Sequence, residues 1–184
     1  MAGPNLLTER LSLSPFEDVD VSELHELFVG AEMRRYLLDD TVVPRAWVEE
    51  EVAGSRARFA QDTTCGLWSC RLGEAADIVG FVGFRPFFEP PELQLLYGFT
   101  PAVWGRGLAT EAAAAAIAYG FDALGFDEVR AATDTPNAAS IAVLRRLGMQ
   151  ERRRSTEGEH GTLFFRVSAG EWEGTGRRVT KPRS

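Results

Sequence analysis

Lysine is almost absent from this chain: Lys181 is the single one among 184 residues, and every other basic side chain apart from histidine is arginine. An NTPase-type phosphate loop needs glycine, four residues and then Gly-Lys-Ser/Thr, and Lys181 follows no such run, so that motif is excluded. Cysteine and histidine are scarce as well. Cys65 and Cys70 have no second pair, and His25 and His160 stand alone, so the spacing of a metal centre is missing and the cysteines read as buried or half-buried free thiols. No apolar run reaches the length of a membrane span, and the opening Met1-Ala2-Gly3-Pro4-Asn5 shows no basic region followed by a hydrophobic stretch. The expectation is a cytoplasmic protein without membrane contact.

What is present is an ordinary globular makeup, 45% hydrophobic and 26% charged. A chain of this length fits one domain that buries about 70% of its unfolded surface. That domain is expected over residues 1–170, with a frayed Gly-, Arg- and Pro-rich tail over 171–184. Charge is unevenly placed. Residues 1–144 carry 10 basic and 22 acidic side chains and residues 145–184 carry 10 and 5, so an acidic body of −12 precedes a basic end of +5. The body would draw a cationic amine or a basic peptide. Arg145, Arg146 and the run Arg152-Arg153-Arg154 would meet phosphates or RNA, or simply stay solvated, and the net acidity argues against RNA.

Periodicity places the elements. Leu11 and Leu13 alternate with serines as in a half-buried strand, and Asp20 with Glu23 reads as a capping box ahead of a helix burying Leu24, Leu27 and Phe28. A second helix is expected from Pro44, with Trp47, Val48, Val52 and Phe59 inward, and a loop over Met33–Asp40 between the two. Leu67–Leu72, Ile78–Phe84 and Leu93–Phe99 read as an antiparallel meander, followed by an alanine-rich helix from about Gly107 to Leu124. A strand at Glu128–Thr133, a helix capped by Asn137 and ending at Gly148, and a strand at Thr162–Val167 complete the order. This is an α+β chain: a mixed sheet with helices on both faces, layered α/β/α.

The run Tyr97-Gly98-Phe99-Thr100-Pro101-Ala102-Val103-Trp104-Gly105-Arg106-Gly107-Leu108-Ala109-Thr110-Glu111 leads a strand through a glycine turn into that helix. The first helical turn leaves four N–H groups without intrahelical partners at the positive end of the macrodipole, which suits a phosphate. Gly105 and Gly107 let main chain approach it closely. A dinucleotide fingerprint would need a third glycine where Leu108-Ala109-Thr110 stands.

The run resembles the acetyl-CoA signature of the GNAT superfamily of N-acetyltransferases, Arg/Gln-x-x-Gly-x-Gly/Ala. Trp104 in the first position is the form common in its ribosomal-protein N-acetyltransferase branch. Leu7–Leu13 resembles that branch's opening strand, and Ile78–Phe84 the strand before the signature. Asn137-Ala138-Ala139-Ser140, with Leu147-Gly148-Met149 at the helix end, resembles the second motif, Met149 replacing the usual Phe. The resemblance covers roughly residues 6–168.

It implies the GNAT fold, in which two strands splay and pantetheine enters the gap, and direct transfer of acetyl from acetyl-CoA to an amine through a tetrahedral intermediate. Phe99 and Thr100 would offer backbone groups to pantetheine, and Trp104, Gly105, Arg106, Gly107, Leu108, Ala109 and Thr110 would hold the cofactor. Asn137 would add its amide, and Glu111 would be structural. Where the branch often has a basic glutamate this chain has Gln94, so Glu92, two residues earlier on the same strand face, is the candidate base, beside a water relay held by Gln94, Tyr97 or a backbone carbonyl. The family's tyrosine acid is replaced by Leu144, and Ser140 inherits that role. The acceptor would be a protein N-terminus or a small-molecule amine. A second copy counts among the expected partners, since homodimers are common in the family. The competing reading is a CoA-binding sensor without turnover.

Overall fold

The computed structural model describes residues 3–61, 64–158 and 160–174. The expected frayed tail lies largely outside the described residues. The segment expected as one opening strand is two, β1 (Leu6–Leu7) and β2 (Leu11–Pro15), because the Thr8 hydroxyl engages both the Leu11 N–H and its carbonyl and turns the chain between them. After a 3-10 turn at Asp18–Asp20 come α1 (Val21–Val29), α2 (Ala31–Leu37) and α3 (Arg45–Phe59). The meander follows as β3 (Leu67–Leu72), β4 (Ile78–Phe87) and β5 (Glu92–Phe99). The chain then passes through a 3-10 turn at Pro101–Val103 into α4 (Leu108–Leu124), β6 (Glu128–Asp134), α5 (Ala138–Arg146), β7 (Gln150–Ser155) and β8 (Thr162–Ser168).

Two local expectations are corrected, and a strand is added. Met33–Asp40 is mostly helix, and α2 has no fully buried residue, so no apolar stripe announced it. The Asp20–Glu23 capping box does not form: Asp20 instead accepts from the Glu17 N–H and pairs with Arg71, while Glu23 accepts the Ile78 N–H. The arginine run is part of a strand, β7, whose residues are nearly all exposed and which is held to β8 by main-chain pairing.

The sheet runs β1-β2-β3-β4-β5-β6-β8-β7. Neighbours are antiparallel except β5 and β6, whose parallel pairing has one register position, Gln94 opposite Arg130. Parallel neighbours need a crossover, and α4 supplies it. On one face Leu24, Phe28, Val48 and Val52 of α1 and α3 bury Leu67, Ile78 and Phe81. On the other, the alanines of α4 with Val143 and Leu144 of α5 cover Leu95, Phe99, Ala131 and Phe165. Five successive alanines, Ala112–Ala116, let α4 lie close on the strands, at almost complete burial. Cys65 and Cys70 are buried free thiols, with burial pushing both up to far above their ordinary pKa, so neither is a reactive nucleophile. Among the described residues no helix is long and apolar enough to cross a membrane, and no three His, Cys, Asp or Glu side chains converge as metal ligands.

Candidate active site

The glycine turn is built as an anion cradle. Gly105 and Gly107 have φ of 73° and 76°, in the left-handed region, and Gly107 occupies the N-cap of α4 with no side chain to cap it. The first backbone bond of the helix is Glu111 N–H to the Gly107 carbonyl at 3.1 Å, so the N–H groups of Leu108, Ala109 and Thr110 lie in the orphan first turn. The Thr110 hydroxyl is buried there without a partner. An uncapped, positively polarised turn with an orphaned hydroxyl fits a pyrophosphate.

The turn is braced from β1–β2. Arg10 donates to the Arg106 carbonyl at 2.8 Å and grips Glu111, Nε at 2.8 Å and Nη2 at 2.6 Å, while the Thr8 hydroxyl adds 2.6 Å and the Arg10 N–H 2.9 Å. Burial would raise the pKa of Glu111, but the bonds from Thr8 and Arg10 outweigh it and hold the carboxyl below its ordinary value. A depressed folded-state pKa stabilises the fold fully above the unfolded value of about 4.3, and the contribution is lost as pH falls through the folded value. Glu111→Gln is therefore expected to destabilise the protein by about 2 kcal/mol at neutral pH. The urea midpoints of variant and parent should converge below about pH 4. A gap unchanged down to pH 3 would contradict this role.

Beyond Gln94 and Arg130, β5 and β6 part. Thr100 N–H bonds the Val79 carbonyl at 2.9 Å, so strand alternation turns the backbone groups of Phe99 the other way, toward the parting. The Phe99 carbonyl accepts the Trp104 indole N–H at 2.7 Å, leaving its N–H at the gap. Of the two residues expected to offer main chain to pantetheine, Phe99 faces the gap, whereas the Thr100 N–H is spent on β4.

Across the gap, Tyr97 of β5 places its hydroxyl 2.9 Å from the Ser140 Oγ and 3.3 Å from the Ser140 carbonyl. Asn137 caps α5, its Oδ1 accepting the Ser140 N–H at 3.1 Å. Burial pushes the Tyr97 phenol up to about 12, partly offset by the Ser140 bond, so it stays protonated at neutral pH. If Tyr97 donates to Ser140 Oγ, the serine proton is free for a third group; if it donates to the carbonyl, the serine proton points back at Tyr97. In the sequence Tyr97 stands only as a holder of the water relay, with nothing to join it to Ser140, 43 residues on. The signal available was alternation, which sets Tyr97 on the same face as Phe99.

Glu92 sits on the opposite face of β5 from Tyr97, five residues and about 17 Å away along the strand. It neighbours Gln94 as the spacing predicted: Glu92 Oε2 accepts from Gln94 Nε2 at 3.2 Å, and Oε1 pairs with Arg130 at 2.8 Å. Gln94 is 3% exposed, and its Oε1 is buried with no partner. Both residues line a cavity of about 450 Å³ on the sheet face beside α1–α3, shared with Glu128, Arg130, Arg153 and Arg166. At the far end of β6, burial and the nearby charge of Asp39 raise the Asp134 pKa, partly countered by His160. The structure thus brings the glycine turn, Phe99 and Trp104 to one end of the gap, Asn137 and Ser140 to its side, and Glu92 to the cavity past its closed end.

A glycine turn at an uncapped helix N-terminus, beside a parallel strand pair that parts, is the arrangement the resemblance implies for an acyl-CoA-dependent transferase. The chain belongs to the acetyltransferase (GNAT) domain family, whose profile matches residues 10–150. It is 30% identical to the spermidine N(1)-acetyltransferase of Escherichia coli K12 over 155 residues, 84% of this chain and 78% of that one. To an uncharacterized N-acetyltransferase of Bacillus subtilis, YoaA, it is 26% identical over 80% of this chain and 84% of the relative. The fold matches a GNAT-family acetyltransferase from Bacillus anthracis with a TM-score of 0.76 at 20% identity, covering 91% of this chain and 99% of that one. It matches RimL, a ribosomal alpha-N-protein acetyltransferase solved with coenzyme A, with a TM-score of 0.72 at 13% identity, covering 88% and 95%. The protein is an acetyl-CoA-dependent N-acetyltransferase of mixed α/β/α architecture.

Proposed function

We propose that this enzyme acetylates the primary amine of a small molecule or of a protein N-terminus, acting in the cytoplasm through one catalytic domain over residues 1–170, as a homodimer. The observation that carries the reading is the parting of β5 and β6 beyond Gln94 and Arg130, with the glycine turn at its open end and an orphaned acceptor, Gln94 Oε1, at its closed end. Acetyl-CoA supplies the acetyl group and leaves as the thiol. The turn from Trp104 to Thr110 holds its pyrophosphate on main-chain N–H groups, Arg106 adding charge at the rim, and the Phe99 N–H and the Asn137 amide hold the pantetheine arm.

Gln94 Oε1 accepts a hydrogen bond from the incoming amine or from a water beside it, and Glu92, bonded to the same side chain, takes the proton through that water. Ser140, backed by the neutral Tyr97 phenol, donates toward the departing sulfur. The family relationship and the Glu92–Gln94–Arg130 contacts support these roles. Glu92→Gln should lower kcat by about a hundredfold, with the acetyl-CoA KM unchanged. A variant turning over at the parental rate would remove Glu92 from the mechanism.

A further inference from the structure

The cavity at the closed end of the strand gap is charged in a way the chain as a whole is not. Arg130, Arg152, Arg153 and Arg166 line it against two carboxylates, Glu92 and Glu128, in a protein whose formal net charge is −7. Those carboxylates are already committed. Glu92 pairs with Arg130, and Glu128 with Arg130 and Arg166, the latter at 3.0 Å. Burial would raise the Glu128 pKa, but the bonds from Arg130 and Arg166 hold it below its ordinary value, so it stays ionised and occupied. Outside the lining, Glu171 lies 3.6 Å from Arg152 and 3.7 Å from Arg166. Even with Glu171 included, one guanidinium is in excess.

That guanidinium is Arg153. Its carbon lies 3.7 Å from the centroid of the Phe164 ring, and among the described residues it has no ion pair. Stacking on a ring face leaves the planar N–H fork free to receive a carboxylate or phosphate. Two buried polar atoms at the same cavity lack partners as well: Arg166 Nε, a donor, and Gln94 Oε1, an acceptor. A cavity that offers an uncommitted donor set and one uncommitted acceptor, with its carboxylates already ion-paired, is matched to a ligand with an anionic group and an N–H, not to a polycation. Its volume of about 450 Å³ is that of a small-molecule site.

Resting on the acetyltransferase reading above, we infer that the acceptor is a primary amine that also carries an anionic group, a carboxylate above all, which Arg153 and Arg166 receive while Gln94 Oε1 holds the amine. A free acidic amino acid and the acidic N-terminus of a peptide share this chemistry. A polyamine such as spermidine does not, and the arginines repel it.

The test compares kcat/KM, by thiol release at saturating acetyl-CoA, for glutamate against glutamine, for a Ser-Glu peptide against its Ser-Gln counterpart, and for spermidine. A charged hydrogen bond gained in the cavity predicts a preference of at least about tenfold for the acidic member of one pair. Arg153→Gln should bring that ratio close to one while leaving acetyl-CoA affinity unchanged. Which pair shows the preference tells a free amino acid from a peptide. Calorimetric titration of glutarate into the CoA-saturated protein is the second measurement, because it needs no turnover: binding in the parent and its loss in Arg153→Gln is the expected result. Glutarate binding without acetylation of any amine would sink the proposed function and leave the anion site standing. Spermidine or the neutral members preferred, or glutarate binding absent or indifferent to Arg153→Gln, would overturn the inference.

Discussion

Gly107→Val is expected to reduce acetyl-CoA affinity by about a hundredfold, about 2.7 kcal/mol, while the protein stays folded. The cause is torsional. Gly107 sits at φ 76°, and a Cβ there would meet nothing closer than Arg10 Nη2 at 3.7 Å, so crowding is not the obstacle. A β-branched residue in the left-handed region costs about 1–2 kcal/mol, and the turn relieves that strain by rotating the peptide units that aim N–H groups at the ligand. The helix itself is anchored elsewhere, by Glu111 on Arg10 and by the buried alanines, so the fold survives the turn's rearrangement. Calorimetric titration with acetyl-CoA and a urea midpoint separate the two effects. Affinity within threefold of the parent would remove the glycine turn from the cofactor site.

The largest loss of stability is expected at Trp68. Its indole is fully buried, with ring centroids 4.8 Å from Phe59 of α3 and 5.5 Å from Tyr119 of α4, both edge-on, and its Nε1–H donates to the Pro4 carbonyl at 2.8 Å. One side chain on β3 thus ties two helices and the start of the described chain to the sheet. Trp68→Ala leaves a cavity and an unpaired carbonyl, a cost of about 4 kcal/mol. That is a large part of the total stability of a domain this size, and it should lower the melting temperature by roughly 10 °C. A shift under 3 °C would mean that the core around β3 closes over the gap.

Elements facing a core on one side announced themselves. Strands β2, β6 and β8 bury alternate residues and show the period of two, whereas β3, β4 and α4, buried in consecutive residues, read as apolar runs. What failed to show was whatever buries nothing: α2 has no core face, and β7, at the sheet edge, spells Gln-Glu-Arg-Arg-Arg-Ser with no apolar alternation, so its pairing with β8 rests on main chain that sequence does not encode. The site divides the same way. The glycine turn was legible because a left-handed backbone at a helix start restricts the residue to glycine, and Glu92 and Gln94 were placed together by strand geometry alone. The Tyr97–Ser140 contact joins residues 43 apart, and the arginine cavity gathers side chains from β6, β7 and β8. Those meetings exist only once the sheet order is known. The acidic composition also pointed to a cationic acceptor, and the local charge of the cavity points the other way, because net charge averages over surface the ligand never touches.

The measurement that bears most directly on the whole account is titration of the protein with acetyl-CoA, followed in the same sample by thiol release on adding primary amines. Saturable binding of one acetyl-CoA per chain, with release that depends on the amine, is the predicted result. Absence of saturable binding would contradict the assignment of the glycine turn and the strand gap as the acetyl-CoA site, and with it the mechanism built on them.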